Sequence, residues 1–211
     1  MKERINCWDY MHKEDNHGAL SGCGYQETID FLKLGNILNK GDRVLEVGVG
    51  LGYVTKGLYE NDYNVMAFDI SPVALERVRR YCDMVFSLNK LDAMPSNYFD
   101  VIFCHNVVQH IPTPYLYYEL FHLIRSLKPS GVLAVKSVST DLMEDTGDDP
   151  DLIIGEMKCS NSIGCFCRSI SYFSKIVDRC GGVAKIVYEE PIKALIITNQ
   201  HVFHITKKVL I

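Results

Sequence analysis

Apolar residues recur along this chain in two alternating rhythms. Short runs such as Val44-Leu45-Glu46-Val47, Val65-Met66-Ala67-Phe68 and Val101-Ile102-Phe103-Cys104 are nearly continuous, as in a strand buried on both faces. Between them, apolar positions return every three or four residues, the spacing of an amphipathic helix. The pattern predicts strands over residues 43–47, 64–68, 84–87, 99–104 and 132–138, and helices over 26–34, 52–60, 71–81 and 114–127. Ser71-Pro72 marks a helix start, because serine caps and proline fits the first turn. A helix capped by Ser169 or Ser171 ends near Cys180, where Gly181-Gly182 stops it. Residues 183–189 and 201–207 then form two strands with no helix between them. Such alternation means βαβ units in a mainly parallel α/β sheet, and the final pair predicts an antiparallel hairpin at its edge.

Length adds that one domain spans residues 1–211, large enough to bury its own core. Residues 1–25 read as a polar, turn-rich cap segment with Trp8 and Tyr10 as anchors. Residues 140–168 are the one long irregular stretch, a lid-like insertion with an acidic run from Glu144 to Asp151. A formal net charge of −4 argues against a nucleic-acid groove. No apolar run is long enough to span a membrane, and Met1-Lys2-Glu3-Arg4-Ile5 lacks the apolar core of a secretory signal, so a cytoplasmic protein is expected. Eight cysteines in such a chain read as reduced thiols. Cys159, Cys165 and Cys167 cluster without a Cys-x-x-Cys pair, and no metal site is expected.

Candidate chemistry gathers where the first strand ends. Residues 44–52 run Val-Leu-Glu-Val-Gly-Val-Gly-Leu-Gly, a glycine turn between strand and helix. Ligands of open parallel sheets bind beyond the carboxyl ends of the strands, where helix N-termini also point. Asp69 ends the second strand, about twenty residues past the glycines, where a carboxylate accepts hydrogen bonds from both hydroxyls of a ribose. A dinucleotide or S-adenosylmethionine (SAM) fits this pair. The dinucleotide pattern Gly-x-Gly-x-x-Gly is broken here, since Gly52 comes one position early and Tyr53 stands in its place. Glu46, inside the strand, needs hydrogen-bonding partners if buried, either the turn's own N–H groups or a cationic cofactor amine. Both departures favour SAM.

With these motifs the chain resembles the class I SAM-dependent methyltransferases from about residue 26 onward. The matching stretches are residues 44–52, Phe68-Asp69-Ile70-Ser71, Phe99-Asp100-Val101-Ile102 through Val107-Val108-Gln109-His110-Ile111-Pro112, and Leu127-Lys128-Pro129-Ser130-Gly131-Val132-Leu133. The small-molecule branch, including ubiquinone-type O-methyltransferases, is the most similar. The resemblance implies a Rossmann-like, doubly wound, three-layer αβα fold whose seven-stranded, mainly parallel sheet has an antiparallel last strand. It implies that Gly48, Gly50 and Gly52 line the methionine part of SAM, with Glu46 nearby and Asp69-Ile70 at the ribose. Asp92 is the expected adenine contact, with Leu88 and Asn89 as competitors.

Methylating a hydroxyl requires removal of its proton. His105 follows the fourth strand at once and is a candidate base or SAM contact, and His110 is the second candidate. Tyr115, Tyr117 and Tyr118 open the next helix, where one is expected in the core and another at the cleft. The reading is methyl transfer to a small polar metabolite, a sugar or similar acceptor among the candidates, at a hydroxyl oxygen in preference to nitrogen, with no nucleic-acid or membrane partner. A catalytically silent SAM- or partner-binding module is the alternative, and an NAD-dependent oxidoreductase a more distant one.

Overall fold

The computed structural model describes residues 2–13, 24–139, 152–157, 163–191 and 199–208. Its elements run α1 (Lys2–Lys13), α2 (Tyr25–Phe31), β1 (Arg43–Val47), α3 (Tyr53–Glu60), β2 (Asn64–Phe68), α4 (Pro72–Val78), β3 (Met84–Phe86), β4 (Phe99–Cys104), α5 (Thr113–Ser126) and β5 (Leu127–Ser139). They continue with β6 (Leu152–Met157), β7 (Ile163–Cys167), α6 (Ile170–Arg179), β8 (Gly182–Pro191) and β9 (Asn199–Lys207). Seven strands form one sheet in the order β3-β2-β1-β4-β5-β9-β8. The first five are mutually parallel, and β9 pairs antiparallel with both β5 and β8. The expected final hairpin therefore exists, with β9 inside and β8 at the edge.

The two sheet faces are covered by different helices, as uninterrupted apolar strands require. Leu45, Val47, Phe68, Ile102, Leu133 and Phe203 pack against Leu120, Leu123 and Ile124 of α5 and Phe173 and Ile176 of α6. Val44, Val65, Val101, Phe103 and Ala134 pack against Ile29 of α2 and Val54 and Leu58 of α3. Ala67 meets Ala74, Leu75 and Val78 of α4 on that same side. Ser71 caps α4 as expected, its hydroxyl accepting from the Ala74 N–H at 3.2 Å. Ser169 caps α6 in the same way through the Tyr172 N–H.

Strand order reverses between β1 and β4, and the register makes that point a site. Val47 is paired with Phe68 on one side and with Cys104 on the other. The next residue of each strand, Gly48, Asp69 and His105, thus leaves the sheet at one level. The Gly48 N–H donates to the Phe68 carbonyl at 2.8 Å, locking two of the three exits together.

Two segments differ from the sequence expectation. The cap segment contains a full helix, α1, whose only buried apolar residues are Cys7 and Met11, with Trp8 packed beside them. So narrow a stripe among charges gives almost no helical periodicity to read. Within the insertion, β6 and β7 form an antiparallel pair. The acidic run at 144–151 and Cys159 lie outside the described residues. Cys82, Cys104 and Cys180 are free thiols. No helix among the described residues is long and apolar enough to cross a membrane.

Candidate active site

A cavity opens at the level of those three strand exits. The glycine turn forms its floor, Asp69 and Ile70 one side, and His105, Val107 and His110 the other. Arg4, Trp8, Met11 and His12 of α1 cover it, and Glu119 of α5 reaches it from below.

The turn is built by backbone geometry. Gly48, Gly50 and Gly52 all have positive φ, at 77°, 53° and 83°. A Cβ on Gly48 would lie 2.3 Å from Val107 Cγ2, so this position combines left-handed backbone with close packing. The Gly52 N–H closes the turn onto the Val49 carbonyl at 2.8 Å, and Gly52 caps α3.

Three carboxyl groups surround the cavity, each almost fully buried. Glu46, at 4% exposure, accepts a 2.5 Å hydrogen bond from Thr55 Oγ1. The N–H groups of Gly48, Gly50 and Gly52 bond to the Phe68 carbonyl, Asp69 and the Val49 carbonyl instead, and the α3 hydroxyl is the partner of Glu46. Burial raises the Glu46 pKa to about 8, with Asp69 adding to the rise and Thr55 opposing it. Asp69 accepts from the Ser71 N–H at 2.9 Å and from the Gly50 N–H at 3.5 Å. Burial lifts it to about 6 despite those bonds, and Asp9 adds to the rise. Asp9 itself accepts from Ser71 Oγ at 2.5 Å, fastening α1 beside Asp69. Glu119 meets Arg4 at 3.4 Å, yet burial still raises it to about 7.

This excess of buried acid has a measurable consequence. Folded Glu46 holds its proton up to about pH 8, whereas an ordinary glutamate loses it near 4.5. Between those values the folded state binds the extra proton, so stability falls as pH rises through the window. Glu46→Gln removes this titration and keeps an acceptor for Thr55. Its melting temperature relative to the parent should therefore climb from pH 5 to pH 8. A difference constant with pH, measured by thermal unfolding without ligand, would contradict the assignment.

The histidines are held differently. His105 Nδ1 hydrogen-bonds Thr28 Oγ1 at 3.0 Å, and its ring stacks on Phe31 with centroids 5.1 Å apart. Burial, reinforced by the positive charge of Lys136, lowers its pKa to about 4. His110 is buried in the tight turn after β4, its ring edge-on to Trp8 at 5.4 Å.

Asp92 lies away from the cavity wall. It is exposed and absent from the cavity lining, and its carbonyl accepts from the Arg125 guanidinium at 2.9 Å. Leu88 packs against the core and Asn89 is exposed, so neither replaces it. The reason is that β3 ends early and a helical turn over Leu88–Lys90 leads the chain off the cavity. Tyr115 packs under Arg4, Tyr117 accepts from Arg179 and Tyr118 is exposed, so none lines the cavity. The sequence reading missed Arg4, Thr28 and Glu119. A signal for Glu119 existed, since it sits on the apolar stripe of α5 with Leu116, Leu120 and Leu123.

Comparison with known proteins agrees with this geometry. A family model described as a methyltransferase domain matches residues 45–135, the part that builds the turn, Asp69 and both histidines. The mitochondrial ubiquinone biosynthesis O-methyltransferase of Schizosaccharomyces pombe is 28% identical over 113 residues, covering 49% of this chain and 40% of that protein. The structure of DhpI in complex with SAH superimposes with a TM-score of 0.67 at 16% identity, covering 98% of this chain and 96% of that one. Residues 45–135 thus match a methyltransferase domain, and the fold around them is one that SAM-dependent methyltransferases share. The chain is also 28% identical to phosphoethanolamine N-methyltransferase 2 of Caenorhabditis elegans over 126 residues, 55% of this chain and 28% of that protein. The magnesium protoporphyrin IX methyltransferase of Synechocystis, solved with SAH, shares the fold with a TM-score of 0.63 at 14% identity, covering 98% and 99% of the two chains. The chain spans less than half the length of the two curated relatives.

Proposed function

We propose that this methyltransferase binds SAM in the cavity and methylates a small polar acceptor at a hydroxyl oxygen. The observation that carries the reading is the set of three buried carboxyls, Glu46, Asp69 and Glu119, all lifted above their ordinary pKa around one cavity. Such a cavity is short of positive charge. A ligand bearing both an ammonium and a sulfonium supplies it, and its binding drives protons off these groups. SAM brings the activated methyl on its sulfonium leaving group.

The chain's own residues supply position and exclusion of water. Gly48, Gly50 and Gly52 present bare backbone to the methionine part, with Glu46 behind them. Asp69 accepts from the ribose hydroxyls, and Ile70 offers apolar surface beside it. Trp8 and Met11 of α1 cover the reacting centre. His105 is neutral at pH 7, the form a base requires, and also borders the cofactor. A pKa near 4 makes it a weak base, so it suits only an acceptor whose hydroxyl is already acidic. His110 is the second candidate base. The acceptor is a cytoplasmic small molecule rather than a nucleic acid.

A nitrogen acceptor is the second reading, supported by the relative named as an N-methyltransferase. Methyl-labelled SAM offered with panels of hydroxyl and amine acceptors separates the two. Label on oxygen is expected. The double variant His105→Ala/His110→Ala should lower turnover by roughly 10² to 10⁴, well beyond any loss of SAM affinity from the removed wall contacts. Undiminished transfer in that variant would remove the base assignment, label confined to amines would remove the oxygen reading, and bound SAM without transfer would favour a silent module.

A further inference from the structure

One buried cation takes no part in the chemistry above, yet it grips the turn that does. Arg168 follows β7 and is 1% exposed. Its guanidinium donates to the Val108 carbonyl at 3.1 Å and to the Ile111 carbonyl at 2.5 Å. Two further bonds, both at 3.2 Å, reach Thr113 Oγ1 at the start of α5. The Arg168 N–H also donates to the Val138 carbonyl of β5 at 3.4 Å, and its guanidinium lies over the Phe166 ring of β7 at 5.6 Å. The accepted carbonyls span the tight turn Val108–His110, in which the His110 N–H donates to the Val107 carbonyl and the Ile111 N–H to the Val108 carbonyl. That turn carries His110 onto the cavity wall, between Val107 and Ile111.

A planar fork of five N–H donors can span acceptors on both sides of a turn, whereas an ammonium is a point charge that cannot. Burying a cation is costly unless its donors are met, so these bonds fix the turn as firmly as they hold the arginine. We infer that Arg168 is a positioning residue: it seats the His110-bearing turn against the cavity and joins it to the β6–β7 hairpin. The hairpin and the active-site wall then move as one piece. Any role of His110 in methyl transfer rests on the function proposed above, but its seating by Arg168 does not.

Histidine imidazole NMR tests the inference without an acceptor. In the parent, His110 should give one narrow signal set, displaced by the Trp8 ring. In Arg168→Lys it should broaden or shift toward free-histidine values, while His105, stacked on Phe31, stays unmoved. SAM affinity by calorimetry should change by less than about threefold, since the glycine turn and Asp69 are independent of this grip. In Arg168→Ala, added guanidinium ion should restore the His110 signal. An unchanged His110 signal in both variants overturns the inference. So does equal disturbance of His105 and His110, which marks general loss of structure. If the parent fails to bind SAM, the proposed function falls while the NMR comparison still decides the role of Arg168.

Discussion

Asp69→Ala should weaken SAM binding by at least about a hundredfold, since hydrogen bonds to a charged acceptor are worth roughly 1.5–3 kcal/mol each and the ribose offers two. The carboxylate is held in place by the Ser71 and Gly50 N–H groups. Burial raises its pKa to about 6, so the fold itself gains little from the charge. Loss of affinity should therefore exceed loss of stability. Asp69→Asn separates the two effects, because its amide oxygen still accepts from Ser71. We expect near-parent melting and an affinity between those of the parent and the alanine variant. Calorimetry beside thermal unfolding checks both, and parent-like affinity in Asp69→Ala would remove Asp69 from the site.

Gly48→Ala is expected to be nearly as damaging, by a steric route. Its Cβ would approach Val107 Cγ2 to 2.3 Å, at a φ of +77° that L side chains rarely adopt. Backbone strain costs about 1–3 kcal/mol, and overpacking a similar amount. If Val107 yields, it moves the cavity wall, so affinity for SAM should fall by roughly tenfold or more even where the fold survives. Adding Val107→Ala relieves the clash and not the strain. The double variant should recover part of the lost melting temperature, and no recovery would show that Val107 is not the obstacle.

How much of this was legible depends on what each segment buries. β1, β2 and β4 fall where the apolar runs lie, because strands covered on both faces leave uninterrupted Val, Leu, Ile and Phe. Their shared exit level follows from parallel register, so Gly48, Asp69 and His105 could be placed together from sequence order. The position of Asp92 off the cavity wall was not legible, because the path of a short turn after β3 has no periodicity to read. α1 was missed for a related reason. Its few apolar residues cover a cavity rather than a core, and its anchoring uses polar contacts, Asp9 to Ser71 and Arg77 to the His12 carbonyl. Trp8 did prove an anchor, whereas Tyr10 is 43% exposed. Arg168 gave no local signal, since its partners lie more than fifty residues earlier in the chain.

The central claim is that the acid-lined cavity is a SAM site. Calorimetric titration of the parent with SAM, and separately with NAD, in two buffers of different ionisation enthalpy tests it most directly. The account predicts one SAM site, no heat from NAD, and proton release at pH 7, because a cationic ligand drives Glu46 and Glu119 toward their charged forms. Absence of SAM binding, or binding with proton uptake, would contradict it.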